Sequence, residues 1–268
     1  MSKDRAMQLD AVLRSISLHC RDIENMDIKV IYLTTDSTHE NQYDKLKEKF
    51  AFAQFNRETD FREQVLIYIK EYEYVLFLVD DILFVRDFSI ADMAESLGNN
   101  DDALGFSLRL GMNTTYCYML NREQKLPSFA SIDNETLKFA WTAAEYDFNY
   151  PLEISCSVYR VRDIYPLLGQ LEFSNPNNME YSMCCNSFPY RSSKGHLLCK
   201  RNSIAFGIPV NLVQDFNPKN QYGTEIKYSA KELSKTFDEG YRIDVEAYCM
   251  FTPNSCNQEV ELKFIPAN

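Results

Sequence analysis

The chain has 268 residues, 45% of them hydrophobic and 25% charged, so it is globular and long enough to bury a full core in one or two domains. Its 28 Lys and Arg against 39 Asp and Glu give a net charge of −11, which argues against binding to nucleic acids or to an anionic membrane surface. Without a visible signal peptide or 18-residue apolar segment, we expect a cytoplasmic protein with no transmembrane segment; a peripheral position at the inner face of the membrane stays open.

The cysteine pattern excludes a zinc framework. The eight Cys are scattered, none forms a CxxC pair, and only three His accompany them. We therefore interpret them as free thiols in a reducing compartment.

The first 110 residues alternate between helical and strand patterns in units of roughly 25 residues. The predicted elements are a helix over 9–20, a strand over 27–33, a helix over 43–50, a strand over 52–55, a helix over 60–72, a strand over 74–79, a helix over 89–98 and a strand over 103–110. This alternation predicts an α/β fold whose mostly parallel sheet is flanked by helices.

The rest of the chain is less regular. Residues 112–150 are polar and aromatic without clear periodicity, and long irregular stretches in compact proteins are usually functional or mobile. The predicted elements that follow are a strand over 153–160, a helix over 161–168, a helix after the turn 174–178, a loop over 189–202, short strands over 203–206 and 210–213, a helix from a capping box at 229–232 to Gly240, and strands over 241–250 and 260–265.

Two adjacent acids, Asp80 and Asp81, stand between two apolar runs. The run 74–79 before them is unbroken by any polar residue, as in a strand buried on both faces, and residues 82–85 are again apolar. The carboxyl end of such a strand is where open α/β sheets bind ligands.

Two carboxylates so close raise each other's pKa, and burial adds to the cost of ionising them. A divalent cation relieves this repulsion, and Mg²⁺ takes carboxylate oxygens together with phosphate oxygens of a substrate. The stretch therefore predicts a metal–diphosphate site. The alternative is a strand end with two solvated or helix-capping acids.

Several segments, in order from residue 2 to about 215, together resemble glycosyltransferases of the GT-A fold, similar to small bacterial family-2-like enzymes. The segments are 2–9, 77–81, 107–111, Trp141 with 147–152, 175–177 with Glu180, and 209–211 with Gln214. The resemblance implies a GT-A domain over 1–215, with a nucleotide-sugar half at 1–110, an acceptor half at 111–215, and a C-terminal extension over 216–268 packed on it.

The resemblance also implies the activity: metal-dependent transfer of a sugar from a nucleoside diphosphate to an acceptor hydroxyl. Asp81 would ligate Mn²⁺ or Mg²⁺ directly, and Asp80 would lie near the metal and the ribose or diphosphate. Asp36 would contact the base, and Arg5 and Arg62 would lie near the nucleotide. A UDP-sugar is the expected donor, and a glycan or lipid-linked glycan the expected acceptor.

The remaining candidates follow residue 100. Arg109, at a strand end, is a candidate phosphate contact. Trp141 and Tyr150 would border the acceptor or donor sugar, with Trp141 as a stacking platform. Glu180 matches the usual position of the catalytic carboxylate, and Asp147 and Glu153 are the alternative candidates. One base without a nucleophile gives inversion at the anomeric carbon; retention stays open.

One feature departs from the family pattern. Enzymes of this type have an apolar central strand before the loop that here contains Lys3, Asp4 and Arg5, whereas only Met1 stands there. The sheet is therefore expected to lack its usual first strand unless another segment, such as 260–265, fills the gap. Exposed strand edges would favour a homodimer.

Two other functions are compatible with this sequence. A nucleotidyltransferase shares the sheet and the acid pair but needs a glycine-rich loop near the N-terminus, and no Gly precedes residue 98. A non-catalytic descendant that binds a sugar or a protein partner is favoured chiefly by the missing first strand. Metal-dependent binding of a nucleoside diphosphate distinguishes the enzyme from the non-catalytic protein.

Overall fold

The computed structural model describes residues 1–213 and 221–267. The α-helices in these ranges are α1 (Ala6–His19), α2 (Ser37–Lys49), α3 (Phe61–Ile69), α4 (Ile90–Gly98), α5 (Val161–Gln170), α6 (Pro176–Cys185) and α7 (Ala230–Asp238). The strands are β1 (Ser2–Lys3), β2 (Ile28–Leu33), β3 (Ala53–Arg57), β4 (Tyr74–Phe77), β5 (Ile82–Phe84), β6 (Ala103–Ser107), β7 (Tyr116–Cys117), β8 (Arg122–Glu123), β9 (Ala130–Ser131), β10 (Thr136–Ala140), β11 (Ser157–Arg160), β12 (His196–Lys200), β13 (Ala205–Gly207), β14 (Tyr241–Ile243) and β15 (Phe264–Pro266). The α/β class predicted from the sequence is confirmed.

The strands form two main sheets of different character. β1, β2 and β3 pair in this order and are parallel; the parallel course was predicted for β2 and β3, whereas β1 was not predicted. The larger sheet has the order β4-β11-β6-β12-β10-β9, and of its pairs only β6 with β12 is parallel. The prediction of a mostly parallel sheet is therefore wrong for this sheet. No α-helix lies between β6 and β11 to act as the crossover that parallel neighbours need, and β11 runs antiparallel to both β4 and β6.

The predicted loop over 189–202 is also wrong. It contains β12, which lies between β6 and β10 with Leu198 and Cys199 completely buried. β12 is short and its apolar residues are flanked by Ser, Lys, Gly and Arg, so the local sequence has the composition of a loop. Its strand conformation is fixed by pairing with distant segments.

A short first strand is present at the N-terminus, which corrects the expectation that it is missing. β1 pairs with β2 in the register Ser2–Tyr32, and the Met1 ammonium group donates a hydrogen bond to the Leu78 carbonyl at 2.9 Å. The segment 260–265 does not fill this place. Only its last residues belong to β15, which pairs antiparallel with β14.

The C-terminal segment shares a core with the N-terminal elements. Tyr228, Leu233 and Phe237 are packed in one cluster with residues of α1, β2 and α2. The predicted domain boundary at 215/216 lies outside the described residues, so the proposed division stays a prediction. None of the described helices combines the length and the apolar character needed to cross a membrane.

Arg160 is a buried charge that ties three elements together, and its removal provides a test of the fold. Its guanidinium donates to the Asp163 carboxylate and to the Leu97 carbonyl, both at 2.6 Å, and makes a third hydrogen bond to the Ala103 carbonyl. We expect Arg160→Met to lower the free energy of unfolding by about 3–5 kcal/mol, because acceptors stay buried without their donor. This corresponds to a drop in Tm of roughly 6–20 °C.

Arg162→Met is the matched control. Arg162 is 68% exposed and lies 3.5 Å from Asp101, an ion pair of a kind that contributes about 0–1 kcal/mol. Equal Tm values for the two variants in differential scanning calorimetry would contradict the structural role of Arg160.

Candidate functional site

One cavity of about 790 Å³ lies beside the ends of β1, β2 and β4, and its size suits a small-molecule ligand. Eight of the eleven residues selected from the sequence line it: Arg5, Asp80, Asp81, Arg109, Asp147, Tyr150, Glu153 and Glu180. The cavity thus brings together residues that are far apart in sequence. The carboxyl ends of strands are where α/β sheets commonly bind ligands. Gln214, part of the sequence resemblance, lies outside the described residues.

Two of the selected residues lie away from this cavity. Asp36 caps α2, where its carboxylate accepts from the His39 amide at 2.9 Å, and it is largely exposed. Arg62 donates to the carbonyls of Leu171 and Gly169, both at 2.7 Å, and so joins α3 to the end of α5. The expected contacts of Asp36 with a base and of Arg62 with the nucleotide are not supported by this placement.

Trp141 is likewise outside the cavity lining. Its side chain is 1% exposed, and its indole N–H donates to the Lys194 carbonyl at 2.8 Å. It fills the core beside β12, so the structure corrects the expectation of an accessible stacking platform. Of the two aromatic residues selected, only Tyr150 borders the cavity.

The acid pair is split into a bound and an accessible carboxylate. Asp80 accepts from Arg5 Nη1 at 2.7 Å and from Ser2 Oγ at 2.8 Å, and its side chain is 6% exposed. Asp81 lies 3.5 Å from the same Arg5 nitrogen and is 23% exposed. Asp80 thus holds the arginine, and Asp81 remains the more accessible of the two.

Burial and charge determine the ionisation of this group. Burial raises the pKa of Asp81, and the nearby Asp80 raises it further, while Arg5 opposes both. Burial by itself would lower the pKa of Arg5, but Asp80 and Asp81 outweigh it and the pKa is raised. The buried Met1 ammonium group also interacts with both carboxylates, and burial lowers its pKa. Arg5 is the cation in direct contact with both acids, and a bound cation would relieve the repulsion between them.

Asp81 is the residue best placed to hold a metal ion. Within residues 1–213 and 221–267, no three His, Cys, Asp or Glu side chains converge on a metal position. Mg²⁺ commonly takes only one or two protein carboxylates and completes its shell with water and substrate phosphates. An accessible Asp81 beside an occupied Asp80 is consistent with that donor set.

A second group of charges lies on another wall of the cavity. Arg109 donates to Glu153 Oε2 at 2.6 Å, and both side chains are at least nine-tenths buried. Glu153 also accepts from the Ser155 amide at 2.6 Å and from the Ser157 hydroxyl. Both oxygens of Glu153 are therefore occupied, which suits a carboxylate that positions Arg109 better than one that accepts a proton from substrate.

Glu180 and Asp147 lie near this ion pair, and burial raises the pKa of both carboxyls. Glu180 Oε2 accepts from the Ile154 amide at 3.1 Å and from Ser155 Oγ at 3.3 Å, and the charge of Glu153 raises its pKa further. Asp147 accepts from Cys117 Sγ at 3.3 Å and Gln124 Nε2 at 3.2 Å.

Sequence reasoning assigned no role to several residues that build the site. Ser2 holds Asp80, and Asn211 accepts from Arg5 Nε at 2.9 Å through its side chain and from Nη2 at 2.6 Å through its carbonyl. Asn257 Oδ1 accepts from Arg109 at 3.2 Å, and a Cβ on Gly207 would lie 2.2 Å from that oxygen. Ser2 and Asn211 fall within the segments that carry the resemblance, which is the one signal that could have found them.

Comparison with known proteins supports a relationship to glycosyltransferases in general. No protein-family model matches this chain. The chain is 27% identical over 206 residues, 68% of its length, to a Dictyostelium discoideum protein named bifunctional glycosyltransferase pgtA. It spans 27% of the length of that relative.

The raised pKa of Glu180 gives a prediction for stability. A carboxyl whose pKa is higher in the folded than in the unfolded state binds more protons when folded, so its contribution to stability falls as pH rises above the ordinary pKa of Glu. Glu180→Gln removes this decrease in stability at high pH, because Gln does not ionise, and it keeps an oxygen that accepts from Ile154 and Ser155. We expect the variant to show a higher Tm than wild type at about pH 8 and a smaller change in Tm between about pH 5 and 8.

Glu153→Gln is the contrasting variant. Because it leaves Arg109 buried with less compensation, we expect it to lower stability by about 3 kcal/mol at both pH values. A Glu180→Gln protein that melts below wild type at high pH would contradict the assignment of Glu180 as a desolvated carboxylate. Thermal unfolding monitored by circular dichroism measures the Tm of both variants.

Proposed function

We propose that this chain transfers a sugar from a nucleoside-diphosphate sugar, with UDP as the first nucleotide to test, to the hydroxyl of a glycan or lipid-linked acceptor. The observation that carries the proposal is the presence of two charged groups in one cavity: Arg5 with Asp80 and Asp81, and Arg109 with Glu153 and Glu180. The similarity to a protein named as a glycosyltransferase supports it independently.

The first group, Arg5 with Asp80 and Asp81, would bind the diphosphate of the sugar donor. Asp81 would hold Mn²⁺ or Mg²⁺, and such an ion when bound neutralises charge that develops on a leaving diphosphate. Asp80 keeps Arg5 oriented at the cavity wall, where the guanidinium adds positive potential on the same side. Ser2 and Asn211 fix the other ends of this network and so limit its rearrangement when substrate binds.

Glu180 is the best candidate for the base. Glu153 has both oxygens occupied, and Asp147 receives a hydrogen bond on each of its oxygens. Ile154 and Ser155 both donate to Glu180 Oε2, and the Tyr150 hydroxyl, which lines the cavity, also bonds to this carboxylate. A carboxylate of raised pKa accepts a proton more readily at neutral pH. A single base gives inversion; a retaining reaction is the alternative.

Two other functions are less well supported. The non-catalytic alternative depended chiefly on a missing first strand, and a two-residue strand, β1, pairs with β2 at the N-terminus. A nucleotidyltransferase needs a glycine-rich loop around the triphosphate, whereas the segment after β1 contains Asp4 in a left-handed conformation and no Gly. The GT-A family, the homodimer and the cellular location stay predictions.

Nucleotide binding can be measured by thermal shift with UDP, with and without Mn²⁺. A ligand at about 100 times its Kd adds roughly 2.7 kcal/mol, and for a protein of this size each kcal/mol raises Tm by about 2–4 °C. We expect a rise of roughly 5–11 °C that requires both UDP and metal, and its loss in Asp81→Asn.

Asp44→Asn is the matched control for Asp81→Asn. Asp44 is an exposed helix acid paired with Lys47 and does not line the cavity, so its variant should keep the full shift. The absence of a shift with UDP, GDP, CDP and dTDP in the presence of metal would overturn the proposed donor site.

The role of Glu180 can be separated from donor binding. Glu180→Gln should retain the UDP–Mn²⁺ shift but lower kcat by about 10²–10⁴-fold, because a positioned base contributes on that order. The measurement is UDP release from UDP-sugars incubated with an acceptor library. If Asp147→Asn abolishes turnover and Glu180→Gln does not, the base is Asp147.

A further inference from the structure

A Cys–His–Asp cluster lies outside the cavity, and the proposed sugar transfer does not use it. Cys249 Sγ is 3.6 Å from His19 Nε2, and His19 Nδ1 is 2.8 Å from Asp87 Oδ1. None of the three residues lines the cavity. This order of thiol, imidazole and carboxylate is the arrangement by which proteins activate a nucleophile.

Backbone contacts hold the three residues in place. The Phe88 amide donates to the His19 carbonyl at 3.0 Å, which fixes the end of α1 against the segment that carries Asp87. The Met250 amide donates to the Val85 carbonyl at 2.8 Å, and Arg86 Nη2 donates to the Met250 carbonyl at 3.1 Å. The segment of Cys249 is therefore anchored to the same stretch as Asp87.

The hydrogen bonds define the tautomer of His19. An ionised Asp87 can only accept, so Nδ1 carries the proton and Nε2 has a free lone pair directed at Cys249. His19 is the last residue of α1. The position of its Nε2 lone pair beside the thiol allows the imidazole to accept the thiol proton.

The surrounding charges oppose an unassisted thiolate. Burial raises the pKa of the Cys249 thiol, and Glu246, Asp87 and Asp244 raise it further. Reactivity at neutral pH therefore depends on the imidazole.

We propose that Cys249 is a modification site, a thiol activated by His19 and Asp87 for attack on small uncharged electrophiles, with peroxide as the oxidant class. Anionic electrophiles are disfavoured by the three neighbouring carboxylates. The site is independent of the sugar-transfer reaction.

The chemical step balances with the groups present and one peroxide molecule. The thiol proton passes to His19 Nε2, and the thiolate sulfur attacks one peroxide oxygen. The O–O bond breaks, and the hydroxide leaves with the proton returned from the imidazolium. The products are a Cys249 sulfenic acid and water, so sulfur is oxidised and peroxide is reduced.

The chain offers an internal comparison. Of its eight cysteines, Cys185 and Cys249 are exposed, Cys184 is partly buried, and the other five are buried. Cys185 has the Tyr181 hydroxyl as its neighbour and, among the described residues, no hydrogen bond to a histidine, so it serves as the comparison thiol. Each thiol's alkylation rate at pH 7 is divided by its own rate at pH 9.5. This ratio cancels the effect of the different accessibility of the two thiols.

The experiment measures iodoacetamide alkylation of each cysteine by mass spectrometry across this pH range, on wild type and three variants. We expect the rate ratio of Cys249 to exceed that of Cys185, and His19→Gln to lower the Cys249 rate at pH 7 by about tenfold or more. Hydrogen peroxide followed by dimedone should label Cys249 before Cys185. Equal Cys249 rates in wild type and folded His19→Gln would overturn the proposal.

Asp87→Asn tests the same proposal without disturbing a buried residue, since the Asp87 side chain is 71% exposed. Loss of a negative charge alone would make the thiol more acidic and faster. Asn is a weaker acceptor than a carboxylate, and its NH2 group can turn toward Nδ1 and select the other tautomer, so a weakened orienting contact makes the reaction slower. We expect at least a threefold slower reaction, on the order seen for orienting groups. Glu246→Gln, which removes a charge without touching His19, should not slow it. An Asp87→Asn protein as fast as wild type would overturn the proposal.

Discussion

The ion pair between Arg5 and Asp80 is the interaction on which the cavity depends. Its atoms lie 2.7 Å apart, and both side chains are more than nine-tenths buried. The guanidinium also binds Asn211 through its side chain and carbonyl, so segments near residues 2–5, 80 and 211 are joined at one point. Breaking such a buried pair leaves an uncompensated charge and costs about 3–5 kcal/mol.

The second charged group, Arg109 with Glu153 and Glu180, is arranged in the same way as the first. In each group one carboxylate, Asp80 or Glu153, is saturated by an arginine and hydroxyl donors. A second carboxylate, Asp81 or Glu180, is left with a pKa raised by burial. The saturated acids fix the geometry, while the desolvated acids are the ones proposed to bind a cation and a proton. The proposed difference in role rests on hydrogen bonding and not on residue type.

The reactive-thiol site at Cys249 has a different relation to the fold. It uses the end of α1 and the segment after β5, both of which also carry buried core residues. Because it has its own nucleophile and its own orienting carboxylate, its chemistry can be changed without altering Arg5, Asp80 or Asp81. The two sites are therefore separable by mutation.

Local sequence determined the helices α1 and α4 and the strand before the acid pair, because burial periodicity and strand ends are local properties. The site residues were selected chiefly from the resemblance to glycosyltransferases; eight of the eleven line one cavity, and their roles stay predictions. It did not determine the antiparallel course of β11 or the strand β12, since neither a missing crossover helix nor cross-strand pairing is encoded in a short window. Tertiary structure also decided that Trp141 fills the core and that Cys249 meets His19, 230 residues away in sequence. Contacts between distant segments depend on packing of the whole chain, and a single sequence does not reveal which residues they bring together.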